Sequence, residues 1–173
     1  MNIVLTGFMA SGKTVIARAI AEKYGYRFVD TDDMVADAAG RSINKIFECD
    51  GETVFRQMER EAIERASKLD GCVISTGGGV PLDKRNMTAL RKRGVVVNLA
   101  PAFDVIAARI ERAAATRPLL RDQSIEDIKK RFEARKLFYD DCDIRIKITD
   151  DKTPAQYAEE IVLICEKRYG MHE

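Results

Sequence analysis

Histidine and tryptophan are almost missing from this chain. It has no tryptophan and one histidine, His172. That excludes histidine-based triads and most zinc sites, and leaves acid–base chemistry to carboxylates, lysine or tyrosine. The four cysteines, Cys49, Cys72, Cys142 and Cys165, form no C-x-x-C pair. They read as small apolar residues in a reducing compartment. An excess of one charge is missing as well: 29 basic against 28 acidic residues, 29 − 28 = +1, leaves no electrostatic footprint for nucleic acid or an anionic membrane. Apolar runs such as Val95-Val96-Val97 are far too short to span a bilayer. Met1-Asn2-Ile3 lacks the basic stretch of a secretory signal, so a cytoplasmic location is expected. No heptad seam is visible, and a monomer is the expected state. A chain of 173 residues suits one α/β domain, 1–173, with a sizeable core.

What is present begins with Gly7-Phe8-Met9-Ala10-Ser11-Gly12-Lys13-Thr14, a complete G-x-x-x-x-G-K-[ST] phosphate-binding loop. A short apolar run, Ile3-Val4-Leu5, precedes it, and apolar residues at helical spacing follow it. A glycine-rich turn before an amphipathic helix would share part of this pattern, but not all of the signature positions. The glycines let the backbone wrap phosphate oxygens, and the helix N-terminus aims free N–H groups at them. Lys13 supplies a cation for the β- and γ-phosphates, and the Thr14 hydroxyl can ligate Mg²⁺. A nucleoside triphosphate is the expected ligand.

Strands are expected at Ile3–Thr6, Arg27–Val29, Cys72–Ser75, Val95–Leu99 and Ile144–Ile148. Helical patterns lie between them: Lys13–Tyr24, Ser42–Cys49, Glu52–Lys68, Asp83–Arg93, Phe103–Ala113, Ser124–Tyr139 and Pro154–Tyr169. This alternation implies a P-loop three-layer sandwich, a five-stranded parallel sheet with helices on both faces. Residues 112–123, with three arginines and Pro118, read as a mobile lid. Residues 31–68 read as the acceptor-binding region.

Three further patterns carry chemistry. Asp30-Thr31-Asp32 lies just past a strand end, the edge where open α/β sheets bind ligands. On an extended chain both carboxylates point one way, so one could hold hydrated Mg²⁺ while the other orients the acceptor. Helix capping by aspartate is the competing explanation. Gly77-Gly78-Gly79 implies a close approach to the backbone, by a ligand or merely as a flexible loop. Arg56 and Glu59, at i and i+3, form either an ordinary surface ion pair or a braced fork for a planar carboxylate. Arg117 and Arg135 are open to the same two readings.

In this order and spacing, the set resembles the shikimate kinase family over nearly the whole chain. The resemblance rests on the phosphate loop, Asp30-Thr31-Asp32, Phe55-Arg56 with Glu59, Gly77-Gly78-Gly79, Arg117-Pro118-Leu119-Leu120, and Arg135 with Tyr139. It implies ATP-dependent phosphorylation of the 3-hydroxyl of shikimate, on the way to chorismate and the aromatic amino acids. It further implies that Arg56, Arg135 and the glycines Gly77, Gly78 and Gly79 bind shikimate, with Glu59 bracing Arg56. Asp32 would bind ring hydroxyls and assist deprotonation. Thr14 would bind Mg²⁺ directly and Asp30 through water, while Lys13 and Arg117 stabilise the transferring phosphoryl group. Ala10, Ser11, Gly12, Lys13, Thr14 and Val15 would cradle ATP, with Arg109, Lys152 and Pro154 around adenine. The family often carries glycine where Ala10 and Ala17 stand, and a hydroxyl residue where Val15 stands. Rival readings are a kinase acting on gluconate or a nucleoside monophosphate, and a nucleotide-binding regulatory module without turnover.

Overall fold

Every residue of the first strand, β1 (Asn2–Thr6), is buried, as a central parallel strand covered on both faces requires. The computed structural model describes residues 1–114 and 124–170. β2 (Arg27–Asp30), β3 (Cys72–Ser75), β4 (Gly94–Pro101) and β5 (Ile144–Ile148) complete a parallel sheet in the order β2-β3-β1-β4-β5. Its two faces bury different residues of the same strands. Ile3, Leu5, Val97 and Leu99 pack with Ile16 and Ile20 of α1 (Lys13–Tyr24) and with Tyr157 and Ile161 of α7 (Pro154–Tyr169). Val4, Ile74 and Val96 pack with Ile63 of α3 (Ile43–Ala66) and Leu90 of α4 (Lys84–Arg91). The expected three-layer arrangement is what the chain adopts. At the edge, β5 alternates buried and exposed residues, with Arg145 and Lys147 facing out.

One local expectation fails. Asp30 and Asp32 do not share an extended segment, because a helix, α2 (Thr31–Ala39), starts immediately after β2. Asp30 is its N-cap, and one carboxylate oxygen accepts from the Asp32 backbone N–H at 3.0 Å. The patterns at Ser42–Cys49 and Glu52–Lys68 are borne out as two helical stretches: α3 is interrupted at Gly51, whose φ of 80° and ψ of 177° are non-helical and suit only glycine. The remaining helices, α5 (Phe103–Ala114) and α6 (Ile125–Tyr139), enclose a smaller cluster with Phe8. The expected lid falls mainly on 115–123, outside the described residues.

Candidate active site

The loop between β1 and α1 is held from within. Lys13 Nζ donates to the carbonyls of Gly7 at 2.8 Å and Phe8 at 2.9 Å. Burial lowers its pKa to about 8, although Asp32 and Asp30 pull the other way. The ammonium therefore sits partly dehydrated at the loop's mouth, where a phosphate oxygen could replace a carbonyl. Gly7 has no room for a side chain: a Cβ there would lie 2.7 Å from the Leu99 carbonyl oxygen.

Beside Lys13, Thr14 Oγ1 donates to Asp30 Oδ2 at 3.2 Å and lies 3.3 Å from Ser75 Oγ. Parallel pairing sets this up, because Asp30 and Ser75 are register partners at the C-terminal ends of β2 and β3. Hydroxyl and carboxylate oxygens are the hard donors Mg²⁺ prefers, and leaving room for water and phosphate ligands is its habit. The donor set fits that ion.

From here a cavity of about 780 Å³ opens, lined by Lys13, Thr14, Asp30, Asp32, Arg56, Glu59, Gly77, Gly78, Gly79 and Arg135 among others. Burial lifts the Asp32 pKa to about 6, helped by repulsion from Asp30 and Glu59 and opposed by Lys13. Arg56 donates to Glu59 at 2.8 Å and to Glu52 at 3.2 Å. The Glu59 side chain is 3% exposed, and its other oxygen, Oε1, has no hydrogen-bond partner among the described residues. Burial raises its pKa against the pull of Arg56. The glycine run has a concrete reason here. A Cβ on Gly77 would meet Asp32 Oδ1 at 2.6 Å, and one on Gly79 would collide with the Arg56 guanidinium. What approaches the backbone at these two positions is the protein's own charged side chains. Tyr139 ties α6 to the run, its hydroxyl donating to the Gly78 carbonyl at 2.6 Å.

A separate slot of about 280 Å³ lies on the other flank of the loop, lined by Ala10, Ser11, Gly12, Val15, Arg109, Lys152, Pro154 and Tyr157. Arg109 donates to the Ala10 carbonyl at 3.0 Å and to Asp150 at 2.8 Å. Its guanidinium is thereby fixed between the loop and the turn after β5. Pro154 starts α7, where its fixed φ suits the first helical turn. Arg117 lies outside the described residues.

A family model described as shikimate kinase matches residues 9–166. A shikimate kinase of Caldicellulosiruptor bescii is 46% identical over 164 residues, 94% of each chain. One of a Sulfurihydrogenibium species is 42% identical, covering 96% of this chain and 99% of its own. The chain belongs to the shikimate kinase family. Among solved structures, the shikimate kinase of Acinetobacter baumannii in complex with shikimate superposes with a TM-score of 0.85 at 30% identity, covering 97% of this chain and 94% of that one.

Set against the pattern expected of shikimate kinases, the geometry adds two residues and explains one departure. Ser75 and Asp150 are absent from the sequence-derived site. Ser75 was signalled by its place at a strand's C-terminal end, level with Asp30; Asp150, in the run Thr149-Asp150-Asp151, gives no signal before folding brings Arg109 to it. Ala10, where the family often has glycine, has a φ of 58°, the one positive φ of a non-glycine residue among the described residues. Alanine holds this left-handed turn at a cost of about 1–2 kcal/mol.

Proposed function

We infer that this chain transfers the γ-phosphoryl group of ATP to the 3-hydroxyl of shikimate, giving shikimate 3-phosphate and ADP for aromatic amino acid synthesis. The observation that carries the residue assignments is that Lys13, Asp32 and Arg56 line one cavity, so phosphate cation, proton acceptor and carboxylate fork face a common volume. In this reading Arg56 and Arg135 take the shikimate carboxylate, with Glu59 bracing the Arg56 fork from its buried side. Asp32 accepts the hydroxyl proton as the oxygen attacks in line, and its raised pKa makes it a better base than an ordinary carboxylate. The unpartnered Glu59 Oε1 is available to a ring hydroxyl.

Lys13 exchanges its loop carbonyls for phosphate oxygens and spreads the charge that builds on the transferring group. Thr14 would hold Mg²⁺ directly and Asp30 through water, and the ion would neutralise phosphate charge. Adenine occupies the slot between Arg109 and Pro154, beside Lys152. A contribution from Arg117 and a closing lid rests on the sequence alone. A cytoplasmic monomer is part of the same proposal; no helix among the described residues is long and apolar enough to cross a membrane.

Release of ADP from ATP and Mg²⁺, with shikimate, gluconate and AMP offered separately, tests the reaction and acceptor together. Turnover with shikimate alone is the expected result. Turnover with gluconate or AMP instead would replace the acceptor, and tight ATP binding without any turnover would point to the regulatory module.

A further inference from the structure

A second cavity, of about 540 Å³, shares Phe8 with the catalytic cleft but none of the cleft's charged groups. It lies where the ends of β4 and β5 meet α6, and its volume suits a small organic ligand. Its walls are aromatic. Phe132 packs edge-on to Phe8 at 5.3 Å and against Phe103 at 5.5 Å, and Tyr139 meets Phe8 at 6.4 Å. Such rings favour a planar, apolar body between or beside them.

Two polar features give the cavity direction. Asn98, on β4, is 2% exposed, and its Oδ1 has no hydrogen-bond partner among the described residues. Buried amide oxygens in native proteins almost always accept a donor from protein, water or ligand. At the rim, three cations (Lys136, Arg145 and Lys147) stand against one carboxylate, Glu133. Arg145 is engaged by Asp140, whereas Lys136 and Lys147 have no ion-pair partner among the described residues. The complementary molecule has a flat apolar body, a carboxylate for the rim and a hydrogen-bond donor for the amide floor.

We propose that this cavity is an effector site for a small aromatic carboxylate carrying a hydroxyl or amino donor, coupled to the cleft through Phe8 and Tyr139. Phe8 belongs to the phosphate loop, and its carbonyl accepts from Lys13 at 2.9 Å. Tyr139 holds the Gly78 carbonyl at 2.6 Å. A ligand that presses on either ring changes the position of a group facing the nucleotide or the acceptor, and by linkage each substrate then alters the effector's affinity.

The probe is 4-hydroxybenzoate, titrated into the full chain and followed by backbone amide shifts, with 4-hydroxybenzyl alcohol as the ligand lacking a carboxylate. Shifts centred on Asn98, Phe103 and Phe132 are expected, with affinity at least tenfold weaker for the alcohol. The exposed double variant Lys136→Glu/Lys147→Glu is expected to weaken the probe about tenfold, while turnover without probe stays within twofold of wild type. The wild-type KM for ATP or shikimate is expected to move at least twofold at saturating probe. Shifts centred on Arg56 and Arg135 would mean that the probe merely enters the cleft, and would overturn the proposal. So would affinity indifferent to the double variant, or binding at Asn98 that leaves both KM values unmoved. Because binding is read from amide shifts, the site can fail while the kinase reading stands, and the reverse.

Discussion

The two flanks of the phosphate loop hold their charges by different physics. On the acceptor flank, charge is buried against charge: Glu59 is 3% exposed and its partner Arg56 26%, and glycines leave room for Asp32 and the Arg56 fork. On the flank of the smaller slot, Arg109 is 24% exposed, much like Arg56, but its partner Asp150 is 52% exposed where Glu59 is buried. Ion pairs in water are worth little, whereas a desolvated charge left without its partner is costly. On the proposed assignment, the acceptor side is built to discriminate and the other side to tolerate.

Asp32→Asn breaks the acceptor side at its centre: kcat is expected to fall on the order of 10²-fold or more if the carboxylate is the proton acceptor. A rate near wild type would remove Asp32 from that role. Arg56→Ala should raise the KM for shikimate about 30-fold or more, by losing a charge-assisted fork and stranding Glu59, while the KM for ATP stays within about twofold. Equal losses for both substrates would sink the assignment. The pH profile of kcat/KM sharpens the contrast further. As the proposed base, Asp32 must be ionised, and its pKa is raised to about 6, so activity should climb as pH rises through that value. Lys13 must be protonated and its pKa is lowered to about 8, so activity should fall above it. A profile flat between 5 and 9 would contradict both.

On the tolerant side, Asp150→Asn should raise the KM for ATP only about threefold, as loss of an exposed ion pair predicts, with the KM for shikimate unchanged. A larger effect would mean that Arg109 depends on Asp150 more than its exposure suggests. The smallest change expected is Ala10→Gly. Relief of the left-handed strain, partly offset by glycine's greater freedom in the unfolded chain, should stabilise the protein by at most about 1 kcal/mol, visible as a modest rise in thermal midpoint.

The sheet was legible from sequence because its strands are short apolar runs separated by amphipathic helices, and β3 and β5 fall where expected, at Cys72–Ser75 and Ile144–Ile148. The phosphate loop was legible because its spacing is itself the chemistry. Asp30-Thr31-Asp32 was half legible: both carboxylates face the cleft, yet they reach it through a capped helix, since the capping preference of Asp30 won over extension of β2. The division of α3 was legible too: the two helical patterns stop and restart around Gly51, where the backbone is non-helical. Asp150 was invisible because an ion pair across 41 positions leaves no local trace.

The pairing of Asp30 with Ser75, and of Ser75 with Leu5, makes strand length a kind of ruler. Sliding β2 by one residue along β3 would put Val29 or Thr31 level with Ser75 and send the Asp30 carboxylate to the opposite face of the sheet. Gly40 and Arg41, between α2 and α3, obey no such rule, because neither helix end is locked to a sheet register.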